Sequence, residues 1–155
     1  MLSLRSLLAL LFLTSLSLTV SAQTPTPPDK PAFVGAVAKK ARYRAVYQLD
    51  SDDPKLIKQT LRNMKNALAD PRLLGKLQLE LVVFGGGTDV FRKSQPYEAE
   101  LRALQQQGVL LAQCQNTMKE RQISPDELFP FISYVPTGNG ELIIRQQQGW
   151  ALVHP

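Results

Sequence analysis

The sequence predicts one small α/β domain: a three-layer, doubly wound fold around a mainly parallel sheet of about five strands. Three observations predict it. Short runs of branched and aromatic residues alternate along the chain with amphipathic helical segments. Residues 77–84 (LQLELVVF) and 109–112 (VLLA) are too apolar to face water and suit strands covered on both sides. About 120 residues follow the N-terminal region, enough for one core and too few for a second.

Residues 1–22 have the layout of a secretory signal peptide, with Arg5, an apolar run over residues 6–20, and the small pair Ser21 and Ala22. The run is short for a membrane span of about 20 residues, so cleavage is expected after Ala22. The mature protein is then periplasmic or secreted and keeps no stable membrane span. Residues 23–31 are rich in Pro and Thr and read as a flexible tether, leaving residues 32–155 as the domain.

Residues 42–49 (RYRAVYQL) form the first expected strand, and the polar cluster at residues 50–53 turns the chain. Asp53 is placed to cap a helix with Pro54 in its first turn, and Ile57, Leu61, Met64 and Leu68 recur on one face. Asp52 and Asp53 are accordingly read as cap residues rather than as a catalytic carboxylate pair. Asp70-Pro71 ends that helix. The second strand, residues 77–84, stops at Gly85, Gly86 and Gly87. A second helix starts near residues 94–96, turns Leu101 and Leu104 inward, and ends at Gly108. Residues 109–112 make a short third strand, followed by Cys114 and a brief helix over residues 116–121 containing Met118. Ser124-Pro125-Asp126-Glu127 is a capping box. Residues 131–135 (FISYV) are the fourth strand. Residues 137–140 lead into a helix bearing Leu142 and Ile143, Gly149 closes it, and residues 150–154 (WALVH) form the last strand. For strand order, the flavodoxin-like 2-1-3-4-5 is the expectation.

Composition excludes several function classes. A chain beginning at Gln23 carries 17 Lys and Arg against 13 Asp and Glu, a mild excess spread among acids and glutamines. It forms no basic stripe interleaved with aromatics, so nucleic acid is not an expected partner. Cys114 is the only cysteine and no internal disulfide can form. His154 is the only histidine, and no cluster at ligand spacing suggests a metal or another cofactor.

Chemistry in open parallel sheets sits at the carboxyl ends of the strands. Cys114 falls there, between a buried strand and a helix start, where backbone N–H groups stabilise a thiolate. Lys119 and Arg121 lie one to two turns further on, with their facing open. Position alone is equally consistent with a buried, inert cysteine. Gly85, Gly86 and Gly87 allow close approach of a ligand or an anion-binding nest, although they match no phosphate-binding fingerprint and a tight turn explains them better. Gly138, in the loop before the last helix, is read the same way. In the expected strand order one strand separates His154 from Cys114, about 10 Å, so His154 reads as an ordinary terminal residue.

Four stretches carry a family resemblance: Val82-Val83-Phe84-Gly85-Gly86-Gly87; residues 108–118, ending in Cys114-Gln115-Asn116-Thr117-Met118; Val135-Pro136-Thr137-Gly138; and Arg145-Gln146-Gln147-Gln148-Gly149-Trp150-Ala151. Together they resemble the DsrE/DsrF-like family, and the second and fourth resemble the subgroup described as intracellular sulfur oxidation proteins, here in an exported member. The resemblance implies a parallel α/β fold and assembly into homo-oligomers, commonly trimers or hexamers. It also implies a cysteine, matched by Cys114, that carries sulfane sulfur as a persulfide between donor and acceptor proteins. Asn116 and Thr117 match the same element and would hold its loop or donate hydrogen bonds. The alternative is a non-catalytic periplasmic oligomer that binds a small ligand or a protein and whose cysteine is structural.

Overall fold

The computed structural model describes residues 32–155. The expected signal peptide and tether lie outside the described residues. Within the unit Ala36–Pro155, the first strand is β1, Tyr43–Leu49, whose alternate side chains Tyr47 and Leu49 are buried on one face and Val46 on the other. Helix α1, Pro54–Ala69, starts as its cap residues predict: Asp53 accepts a hydrogen bond from the Lys55 amide at 2.9 Å, and Pro54 occupies the first turn. It buries Ile57, Leu61 and Met64. Strand β2, Leu77–Val83, has its last five residues buried.

The chain then departs from the expected loop. Gly85–Phe91 winds as tight 3-10 turns and drives Val90 and Phe91 into the core before α2, Glu98–Gln106, begins. Such turns lack the 3.6-residue period by which helices are recognised. Strand β3, Leu110–Cys114, runs directly into α3, Gln115–Glu120. The capping box at Ser124 forms around a short 3-10 turn, with Glu127 reaching back to the Ser124 amide. Strand β4, Ser133–Val135, leads to α4, Gly138–Gln147, and then to β5, Ala151–Val153.

All neighbouring strands are parallel, in the order β4-β3-β2-β1-β5. This corrects the expected 2-1-3-4-5 order. The first three crossovers step the same way across the sheet, and right-handed connections place their helices on one face. The last crossover returns over the opposite face and pairs β5 with the free edge of β1. Strand order is set by how whole helices settle on the sheet, so no local run of residues encodes it.

The two faces differ. On the first, α1 and α2 cover Tyr47, Leu49, Leu79, Leu81 and Val83 in a large apolar core. On the second, α4 sits alone over Val46, Val82 and Ala112, contributing Leu142 and joined by Trp150. Under α4 lies Glu80, only 2% exposed. The Arg145 guanidinium pairs with it at 2.5 Å and with Glu141 at 2.8 Å, and lies 4.6 Å from the centre of the Trp150 ring. Burial pushes the Glu80 carboxyl above its ordinary range; Arg145 opposes that shift without cancelling it, and Glu141 adds to it. The element Arg145 to Trp150 thus clamps α4 and β5 to the sheet.

Candidate thiol site

Because β2, β3 and β4 are adjacent, the loops leaving their carboxyl ends converge. Cys114 ends β3 and serves as the cap residue of α3, its Sγ accepting from the Thr117 amide at 3.4 Å. The Thr117 hydroxyl is committed in one direction, since its oxygen accepts from the Gly85 amide at 3.0 Å. Its own proton is then free to turn toward the sulfur, and the Thr117 side chain helps to lower the thiol's pKa. The amides of Thr117, Gly138 and Asn116 also contribute, the last shared with the Pro136 carbonyl. Burial pushes the thiol up, but these hydrogen bonds outweigh it and hold Cys114 below the ordinary thiol value.

Gly138 is required at its place. A Cβ there would meet the Phe84 ring at 2.6 Å, so a larger residue would displace either the ring or the amide that faces the sulfur. Thr137 caps α4 through the Gly140 amide at 3.1 Å and holds this loop in position.

A cavity of about 420 Å³ opens over the thiol, lined by residues from all three loops. Of the candidate residues, Gly85, Cys114, Asn116, Thr117 and Gly138 line it together; Gly86 and Gly87 do not. The turn reading accounts for those two. A Cβ on Gly86 would lie 3.0 Å from the Asp52 amide nitrogen and one on Gly87 2.2 Å from the Leu49 carbonyl oxygen, while of the three only Gly85 takes a positive φ, 53°. The triple glycine therefore lets the chain fold back over the end of β1.

Neither the Lys119 nor the Arg121 side chain lines the cavity, although Arg121 is anchored at its wall. Lys119 lines a separate groove with Met118, Ile123 and Tyr134. Arg121 donates to the Gly85 carbonyl. The residue between them, Glu120, does line the thiol cavity, and the Asn116 side-chain amide donates to its carboxylate at 2.8 Å. Sequence reasoning passed over Glu120. The signal was the i,i+4 spacing from Asn116, which places the two side chains on one helical face. His154 lies far from the thiol: three strand intervals separate their strands, and its Nε2 is 3.6 Å from Asp50. Among the described residues no group of three His, Cys, Asp or Glu side chains gathers to hold a metal ion.

These features define the class: a parallel α/β domain with a single hydrogen-bonded cysteine at the carboxyl edge of its sheet. The chain belongs to the DsrE/DsrF-like family, whose model matches residues 45–155. Its fold is similar to the solved structure of a protein of unknown function from Methanobacterium thermoautotrophicum, with a TM-score of 0.68 and 31% identity over 73% of this chain and 99% of that one. No curated protein matches the sequence.

Proposed function

We propose that this protein is a sulfur carrier in which Cys114 holds a sulfane sulfur as a persulfide. The observation that carries the reading is the place of Cys114 as the cap residue of α3, its Sγ accepting from the Thr117 amide at 3.4 Å, with surrounding donors that pull the thiol below its ordinary value. In the loading step the Cys114 thiolate attacks the outer sulfur of a donor persulfide. A bond from Sγ to that sulfur forms, the donor's S–S bond breaks, and the donor leaves as a thiolate with the bonding pair. In unloading, an acceptor thiolate attacks the carried sulfur and Cys114 is released as thiolate. No net oxidation occurs over the two steps.

Incubation with polysulfide followed by mass spectrometry of the native protein tests this. One sulfur should add at Cys114, a thiol or cyanide should remove it, and Cys114→Ser should abolish the adduct. An adduct that survives the substitution would refute the proposal. One observation favours a second reading, a binding module with a structural cysteine: Cys114 is only 4% exposed. A thiol that resists iodoacetamide until the protein is unfolded would establish that reading instead.

A further inference from the structure

We propose that Glu120 makes the cavity over Cys114 selective for neutral or cationic sulfur compounds over anionic ones. This rests on the reading of Cys114 as a reactive thiol and goes beyond it to the class of partner. Three consecutive residues, Lys119, Glu120 and Arg121, carry charge, and only the acidic one lines the cavity. Among the described residues Glu120 is the only ionisable side chain in the lining besides Cys114 itself, the nearest cation being Arg121, whose guanidinium is tied to the Gly85 carbonyl; the rest of the lining is contributed by Phe84, two glycines, two threonines and two asparagines. The Glu120 carboxylate accepts a hydrogen bond from Asn116, one turn back on the same helix.

The site therefore has two electrostatic layers. Donors at its base favour the sulfur anion, and a carboxylate stands in the lining of the cavity over it. The amides that would welcome an anion are directed at the sulfur of the protein itself. A small dianion with a sulfane sulfur meets the carboxylate, whereas a neutral persulfide, or a cysteine persulfide flanked by basic residues, does not suffer that repulsion.

Methanethiosulfonates of different charge, the two charged ones of similar reach, test this. The Cys114 thiolate attacks their sulfenyl sulfur, a disulfide forms, and methanesulfinate departs with the bonding pair. Rates are measured for a cationic trimethylammonioethyl, an anionic sulfonatoethyl and a neutral methyl reagent. Each charged rate is divided by the neutral one and referred to the same ratio for a small free thiol. A lone carboxylate roughly 8 Å from the reacting charge in a water-like medium would give a cation-to-anion preference of about fivefold, an upper bound because the Arg121 guanidinium on the Gly85 carbonyl offsets part of it. It should collapse towards the free-thiol ratio in Glu120→Gln, which retains an oxygen to accept from Asn116. In wild-type protein the preference should also shrink between roughly 0.02 M and 0.5 M salt, a measurement that needs no variant. An equal preference in wild type and Glu120→Gln, or one indifferent to salt, would overturn the selectivity while leaving Cys114 reactive. Failure of all three reagents on native protein would overturn the reading of Cys114 and the selectivity with it.

Discussion

The two faces of the sheet are finished by different physics. Beneath α1 and α2 the chain closes mainly by apolar burial, with Ile57, Leu61, Met64, Phe91, Leu101 and Leu104 meeting alternate residues of β1, β2 and β3 and only neutral polar groups such as the Gln113–Thr88 pair buried among them. Beneath α4 the apolar cluster is small, and a buried ion pair between Glu80 and Arg145 completes it. Helix α4 also supplies Gly138 to the thiol and leaves Ile143 and Ile144 exposed on its outer side. The first face is scaffold. The second carries the residues whose removal should alter chemistry as well as stability, and three substitution experiments can break or sharpen that contrast.

The largest expected effect is at the ion pair. Arg145→Ala leaves Glu80 buried without its counter-charge and should cost about 3–5 kcal/mol. Glu80→Gln removes a charge that its surroundings already disfavour and leaves Arg145 paired with Glu141. It should cost only about 1 kcal/mol. Urea unfolding of both variants gives the comparison, and equal losses would mean that the pair is not the fastening of this face.

Next comes a crossed pair of substitutions. Leu101→Ala on the scaffold face should lose about 2–5 kcal/mol and leave the rate of Cys114 alkylation in the folded protein unchanged. Gly138→Ala should lose less, about 1–3 kcal/mol for overpacking against Phe84, yet slow alkylation at neutral pH because the amide no longer reaches the sulfur. Alkylation rates below the unfolding transition, set beside unfolding free energies, decide it. Parallel losses of stability and reactivity in both variants would erase the distinction between the faces.

How much was legible in the sequence follows the same division. Alternating or continuous apolar runs at β1 and β2, and the Asp53–Pro54 start of α1, are local signals, and the structure places those elements within a residue of the expectation. Cys114, Asn116, Thr117 and Gly138 were also legible as neighbours, because β3 and β4 adjoin in the expected order and in the observed one. Gly85 was not. Its contact with Thr117 depends on β2 lying beside β3, which the 2-1-3-4-5 order denies. Glu80 was hidden for a related reason: a strand covered on both faces gives no sign of what would pair with its one carboxylate, and only the return of α4 over β2 supplies Arg145.

The smallest expected effect is the one that ties the thiol to folding. The folded-state value of Cys114 is depressed, so relative to the unfolded chain the native protein favours the thiolate. A depressed acid contributes stability that is fully present above its unfolded value, about 8.5 for a thiol, and is lost as pH falls through its folded value. Serine does not ionise in this range, so the unfolding free energy of wild type minus that of Cys114→Ser should be flat in acid and widen as pH rises between those two values. Thr117→Val should shrink the widening, since it removes the hydroxyl that donates to Sγ and returns the thiol towards its ordinary value. The measurement is urea unfolding under reducing conditions across neutral and mildly alkaline pH. If wild type and Cys114→Ser run parallel over that interval, the donors around Sγ do not stabilise a thiolate. The α4 face would then be a second scaffold rather than a site.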